Sequence, residues 1–319
     1  IFVSRFISPA SHGEVVELER SSGTWKRTWT LAEDPGPDTD INGRGIPNYL
    51  TQIVPSPDGG RLYIPSIKQN TSRGPFRDGR ALTFESTNRA ILSTLDLRTG
   101  AEDLEARRDL DNHDHVSALA LSTYGDFGFL TLQGSQKVIL MDLLNGQEVG
   151  SIPYVGHAPQ GAVVTADGLL FIQNYMGRNI SVYDISTFEL ADTILRVASI
   201  RTIADERLTP EQLLGKRIFY NSADTRMSRD GYISCAGCHL DGGSDRRVWD
   251  FTDRGEGLRR TTSLRGRGGM MHGPVHWSAN FDEIQDFEND IRNAFGGTGF
   301  LKDDDFDDTD DTLGARKAG

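Results

Sequence analysis

The sequence predicts a mainly β chain: a β-propeller over residues 1–200, then an α-helical segment over 201–319. Three observations carry this. First, "YLTQIVPSPDGGRLYIPSI" (49–67), "SALALSTYGDFGFLTLQGS" (117–135) and "QGAVVTADGLLFIQNYMGR" (160–178) share one layout of strand, glycine turn and strand. Second, Asp96, Asp142 and Asp184 recur 46 and 42 residues apart, and His115 and His157 recur 42 apart. A period of about 40–45 residues with three or four strands is a propeller-blade signature. Third, the apolar period changes from strand-like to helical after about residue 200.

Each unit continues into a third strand: "AILSTLDLRTG" (90–100), "KVILMDLLNG" (137–146) and "NISVYDIST" (179–187). The opening stretch, 1–31, reads as the later strands of an earlier blade. Residues 68–89, "KQNTSRGPFRDGRALTFESTNR", interrupt the repeat and read as a long polar loop. A boundary falls near 198–208. In "LTPEQLLGKRIFYN" (208–221), Thr209 is a helix N-cap, Pro210 the first helical position and Gln212 the capping-box partner, with Leu214, Ile218 and Phe219 on one face. In "FDEIQDFENDIRNAFGG" (281–297), Ile284, Phe287, Ile291 and Ala294 recur at helical spacing and Gly296 ends the helix.

With 37% hydrophobic residues the chain is globular, and a net charge of −12 disfavours nucleic acid, which wants a basic face. A basic protein partner would be drawn by that charge. No apolar run reaches the roughly 18–20 residues of a membrane helix. The chain begins at Ile1 inside a strand-like run, which reads as a processed or truncated chain.

Both cysteines of the chain, Cys235 and Cys238, stand in "CAGCH" with His239 directly behind. Three chemistries compete. In c-type haem attachment, the thiols add to the two vinyl groups and the histidine ligates iron. A redox dithiol needs a thioredoxin-like setting, which the pattern lacks. A zinc site needs a fourth ligand, for which His272 or His276 would serve. Motif and context favour haem c.

The repeats resemble YVTN-type propellers of secreted proteins. Residues 208–316 resemble the cytochrome c peroxidase/MauG-like family. The resemblance runs through Gly215 to Phe219, then "SRDGYISCAGCHLDGGSD" (228–245), "RRTTSL" (259–264) and "VHWSAN" (275–280), where the family has RNTPSL and FWDGR-like segments. It implies an α-helical cytochrome c domain over 201–319, proximal iron ligation by His239, and a role for Trp277 in relaying electrons. It also implies a periplasmic or cell-surface location. The family is usually di-haem, so a second haem half is expected in a full-length protein. This sequence ends at Gly319 with a single motif.

For the distal side of the iron, His276 ranks first, beside Trp277, with Met271 and His272 as alternates and Met270 also in range. Arg259 and Arg260 are the candidates for haem propionates, because guanidinium forks match carboxylates. The run "KDDDFDDTDD" (302–311) has the oxygen ligands Ca²⁺ favours but not the spacing of a calcium loop, and reads more simply as a solvated acidic segment. His113 and Asp114 in "DNHDHV" hint at a metal, although the repeat accounts for His115. The functional expectation is a secreted haem c redox protein, performing electron transfer or peroxide-linked oxidation with a redox partner protein or a further haem domain. The alternative is a structural or binding propeller that carries a haem relay in a larger multi-haem assembly. No residue set supports a quinone cofactor in the propeller.

Overall fold

The computed structural model describes residues 1–188, 194–266 and 273–307. Strands β1 (Phe2–Ser4), β2 (His12–Leu18) and β3 (Trp25–Ala32) form a three-stranded antiparallel sheet. The second sheet holds β4 (Ile46–Asn48), β5 (Val54–Pro55), β6 (Arg61–Gln69), β7 (Asn88–Asp96), β8 (Ala101–Glu102) and β9 (Arg108–Leu110). The short helix α1 (Phe84–Thr87) precedes β7. Two four-stranded meanders follow. One is β10 (Val116–Leu121), β11 (Phe127–Leu132), β12 (Lys137–Asp142) and β13 (Gln147–Ile152). The other is β14 (Pro159–Val164), β15 (Leu169–Asn174), β16 (Asn179–Asp184) and β17 (Leu195–Arg201).

Consecutive sheets bury their facing sides against each other, as propeller blades do. Val15, Trp29, Leu31, Leu62 and Leu95 fill the first seam. Leu92, Val116, Leu119, Leu130 and Ile139 fill the second. Phe129, Leu140, Leu170, Ile172 and Tyr183 fill the third. Each such side chain contributes roughly 1.5–3 kcal/mol by leaving water.

The repeat seen in the sequence has a local cause. Asp96, Asp142 and Asp184 each end the third strand of a sheet, and each carboxylate accepts a backbone N–H two residues on, from Arg98, Leu144 and Ser186. This Asx turn starts the return to the fourth strand. Gly59, Gly125 and Gly168 hold φ of 69°, 75° and 80° in the preceding hairpin, a conformation that costs only glycine nothing.

Three expectations need correction. The loop expected over 68–89 is narrower, spanning 70–83 before α1, because the flanking strands run further than the repeat suggested. β6 and β7 run nine residues each and pair from Arg61↔Asp96 to Gln69↔Asn88. Its polar ends are buried: Lys68, fully enclosed, meets Asp34 and Asp109 at 2.6 and 2.8 Å. Helix α2 (Pro210–Phe219) forms with the Thr209/Gln212 capping box, but Leu214 points to solvent, 58% exposed.

Third, the described residues of 202–307 are mostly non-helical, so an α-helical domain is not what they show. Beyond α2 they form short turns, α3 (Ala236–His239), the hairpin β18 (Val248–Phe251) and β19 (Gly257–Arg260), and α4 (Asp303–Asp307). The expected helix over 281–297 does form as a continuous helical run over 284–294 that ends at Gly296 with φ 67°, but it starts as a 3₁₀ turn (Ile284–Phe287) and widens into a π turn (Asp290–Ala294). Buried carboxylates set this shape. Asp286 accepts from the N–H groups of Asp282 and Glu283, and Glu288 from Arg292 and the Leu301 N–H. Ile284, meant for the apolar face, is 57% exposed.

Candidate haem-attachment site

The Cys235–His239 turn lies across one end of the sheets. The propeller offers it polar groups from the start of inner strands and the ends of their neighbours. Tyr49 Oη donates to the Cys238 carbonyl at 2.9 Å, and Gln69 Nε2 to the Gly237 carbonyl at 3.3 Å. Ser234 Oγ donates to Asp114 Oδ2 at 2.7 Å, and Asn88 Nδ2 lies 3.8 Å from Cys238 Sγ. Ala236 packs with Ala158, Met176 and Tyr220. Gly237 lies close under Asn88, whose Nδ2 would stand 2.9 Å from a Cβ there and would have to shift.

Cys235 caps the four-residue α3, and the His239 N–H donates to the Cys235 carbonyl at 3.0 Å. This single turn presents both sulfurs and the imidazole. Both cysteines are free and half-buried. Burial pushes the Cys235 thiol up to about 11, and burial with the nearby Asp245 charge pushes Cys238 up further. Both are therefore thiols at neutral pH. A reactive dithiol needs a depressed pKa, so the geometry disfavours the redox-dithiol chemistry.

Burial lowers the His239 pKa. The backbone of Gly243 and Thr262 and the charge of Asp245 oppose this, and the charge of His276 adds to it. The ring is thus neutral at pH 7, the form that ligates metal. Its Nδ1 lies 3.3 Å from the Gly243 carbonyl, the kind of second contact that fixes the tautomer of a ligating imidazole and leaves Nε2 for the metal. Asp245, fully buried, accepts from Trp249 Nε1 at 3.0 Å, Gln69 Nε2 at 3.1 Å and the Arg247 N–H at 2.9 Å.

The hairpin β18–β19 carries the segment with His276. Trp277 Nε1 donates to the Arg260 carbonyl at 2.7 Å, and the Ser278 N–H to Glu256 Oε1 at 3.3 Å. His276 adopts φ 69°, stacks against Phe281 and Phe287 at 4.3 and 4.9 Å, and places Nδ1 3.1 Å from Asn280 Oδ1. Trp277 is 62% exposed, which rules out core packing as its role. Arg259 is committed to buried Glu256 at 3.2 Å, whereas Arg260 is exposed and the more available of the two to an outside carboxylate. Met270, Met271 and His272 lie outside the described residues.

The donor set is compatible with a covalently attached haem: two neutral thiols and an oriented imidazole on one turn. Among the described residues no three His, Cys, Asp or Glu side chains form a ready-made metal-binding group, and His272, one of the two candidate fourth ligands for zinc, lies outside them. For the Ca²⁺ candidate the described residues show only part of the acidic run. Asp303 pairs with Arg292 at 2.9 Å, and the part of the acidic run from 308 to 311 lies outside the described residues. His113 and Asp114 serve the propeller end rather than a metal cluster, Asp114 through Ser234. Sequence reading missed Tyr49, Gln69, Asn88 and Glu256. They sit between 17 and 186 residues from the motif, and nothing in their local pattern sets them apart from ordinary strand-end polar residues.

Among the described residues no helix is long and apolar enough to cross a membrane. No family model and no curated protein matches this chain. Among solved structures it is similar to the Kuenenia stuttgartiensis hydrazine synthase, at 13% identity over 62% of this chain and 55% of that one, TM-score 0.44. It is similar to a functionally unknown protein from Desulfotomaculum acetoxidans, at 11% identity over 63% and 53%, TM-score 0.41. A third is the Cps50 (Swd1) β-propeller domain of Myceliophthora thermophila, at 16% identity over 50% and 40%, TM-score 0.33. The chain spans about half the length of the first two. The blade assignment rests on the sheet order and the three buried seams, and by that evidence this is a mainly β chain of propeller blades.

Proposed function

We propose that this chain is a c-type haem redox protein in which the propeller blades form the seat of the haem-bearing turn. The observation that supports this most is the pairing on α3 of two neutral thiols with an imidazole oriented through Nδ1. Cys235 and Cys238 would hold the group, His239 would be its proximal ligand and His276 the distal candidate. The haem would supply a one-electron couple or, with an open sixth position, peroxide activation.

The protein's own residues have definite tasks in this reading. Gly243 orients His239 through its carbonyl. Asp245 places a buried carboxylate near the ring, which favours the more positive oxidation state of a bound metal. Tyr49, Gln69 and Ser234 hold the turn rigid, which lowers the reorganisation needed at each electron transfer. Arg260 is free to meet a propionate. A redox partner protein or a further haem domain, and a location outside the cytoplasm, belong to the same proposal.

Electron paramagnetic resonance of the ferric protein tests the division between relay and enzyme. A low-spin signal that His276→Ala converts to high spin supports His276 as ligand and an electron-transfer role. A high-spin signal in the unaltered protein, together with peroxide turnover, supports oxidation chemistry. A signal untouched by His276→Ala would remove His276 from the iron.

A further inference from the structure

The chain carries net charge −12, yet one cleft is lined by cations. It lies between β17 and α2 and has a volume of about 500 Å³, within the usual range for small-molecule sites. Arg178, Arg196, Arg201, Arg217 and His157 line it, against a single carboxylate, Glu206. Glu206 is already taken by Arg178 at 2.9 Å. Among the described residues, no ion pair engages Arg196, Arg201 or Arg217.

The backbone has aimed these groups. β17 carries a bulge: Val182 pairs with Ala198 and Tyr183 with Arg196, so Val197 is the extra residue. Without it, Arg196 would point to the face opposite Ser199 and Arg201. With it, all three share the face that lines the cleft. From the other wall, Arg217 Nε donates to the Met176 carbonyl at 3.2 Å, which fixes the plane of its guanidinium and leaves its terminal nitrogens to other partners. His157 Nδ1 is buried there without a partner.

We propose that this cleft binds a small multivalent oxyanion, of the phosphate-ester or polycarboxylate class, clamped between Arg196 and Arg201 on β17 and Arg217 on α2. Three guanidinium forks with no carboxylate partner among the described residues match the bidentate geometry of such anions. The site goes beyond the haem reading and does not depend on it, although Met176, whose carbonyl holds Arg217, packs against Ala236 of the haem-bearing turn.

Calorimetric titration of the full chain with inorganic pyrophosphate and with citrate at low salt tests this, with and without haem loaded. The expected result is saturable binding of at least one probe, weakened by added NaCl and by at least about tenfold in Arg196→Gln/Arg201→Gln and in Arg217→Gln. Preference for pyrophosphate assigns the phosphate class, and preference for citrate the carboxylate class. Arg196 and Arg201 are exposed on an edge strand, so the double variant keeps its fold even should Arg217→Gln disturb α2. Absence of saturable binding, or binding unchanged in the double variant, overturns the proposal. A protein that lacks haem but binds the anion leaves this site standing while the haem reading fails.

Discussion

Tyr49 Oη donates to the Cys238 carbonyl across 2.9 Å, joining the start of the second sheet to a turn 189 residues later in the chain. That bond, with those from Gln69 and Ser234, makes the CAGCH turn part of the propeller's end.

Tyr49→Phe removes the donor and leaves the ring in place. The Cys238 carbonyl keeps the Asp245 N–H at 3.1 Å, so the expected loss is modest, about 1 kcal/mol. Urea denaturation checks this. No measurable change would mean that the propeller does not restrain the turn.

Asp245 is a harder loss. Asp245→Ala leaves the buried Trp249 indole and the Arg247 backbone N–H without their acceptor and takes one of the two acceptors of the Gln69 amide, an expected cost of about 2 kcal/mol or more. Asp245→Asn keeps part of the network and should cost clearly less. Equal stability of the two variants, again by urea denaturation, would contradict the network.

Acid should destabilise the fold. Burial lowers His113 and His115 to about 4, below the unfolded value near 6.5. Between those pH values the unfolded chain binds more protons, so stability falls as pH drops from about 6.5 towards 4, by about 3 kcal/mol for each ring. Asp114, raised to about 6, acts the other way between about 6 and 3.8, and only partly offsets two histidines. Stability measured from pH 7 to 5 should fall, and His115→Gln should flatten the slope. A flat profile in the unaltered protein would refute this.

The blades were legible because each repeats one local device: a glycine at positive φ, then an aspartate that turns the chain after the third strand. The His115 and His157 spacing marked equivalent blade starts, ahead of β10 and β14. α2 was legible from Thr209, Pro210 and Gln212, since capping is a property of adjacent residues. The helical run over 281–297 and its Gly296 stop were legible too, but not its 3₁₀ and π turns around buried Asp286 and Glu288, because apolar spacing carries no sign of a buried carboxylate. Nor was the seat of the CAGCH turn, whose partners are single polar residues at strand ends, united only by tertiary structure.

The central claim is a haem held by Cys235 and Cys238. Intact mass spectrometry of denatured protein, matured in a host that attaches haem c, tests it most directly. The account predicts a mass increased by one haem that survives acid and organic solvent and is lost in Cys235→Ala/Cys238→Ala. A mass equal to the bare polypeptide, with both thiols open to alkylation, would contradict it.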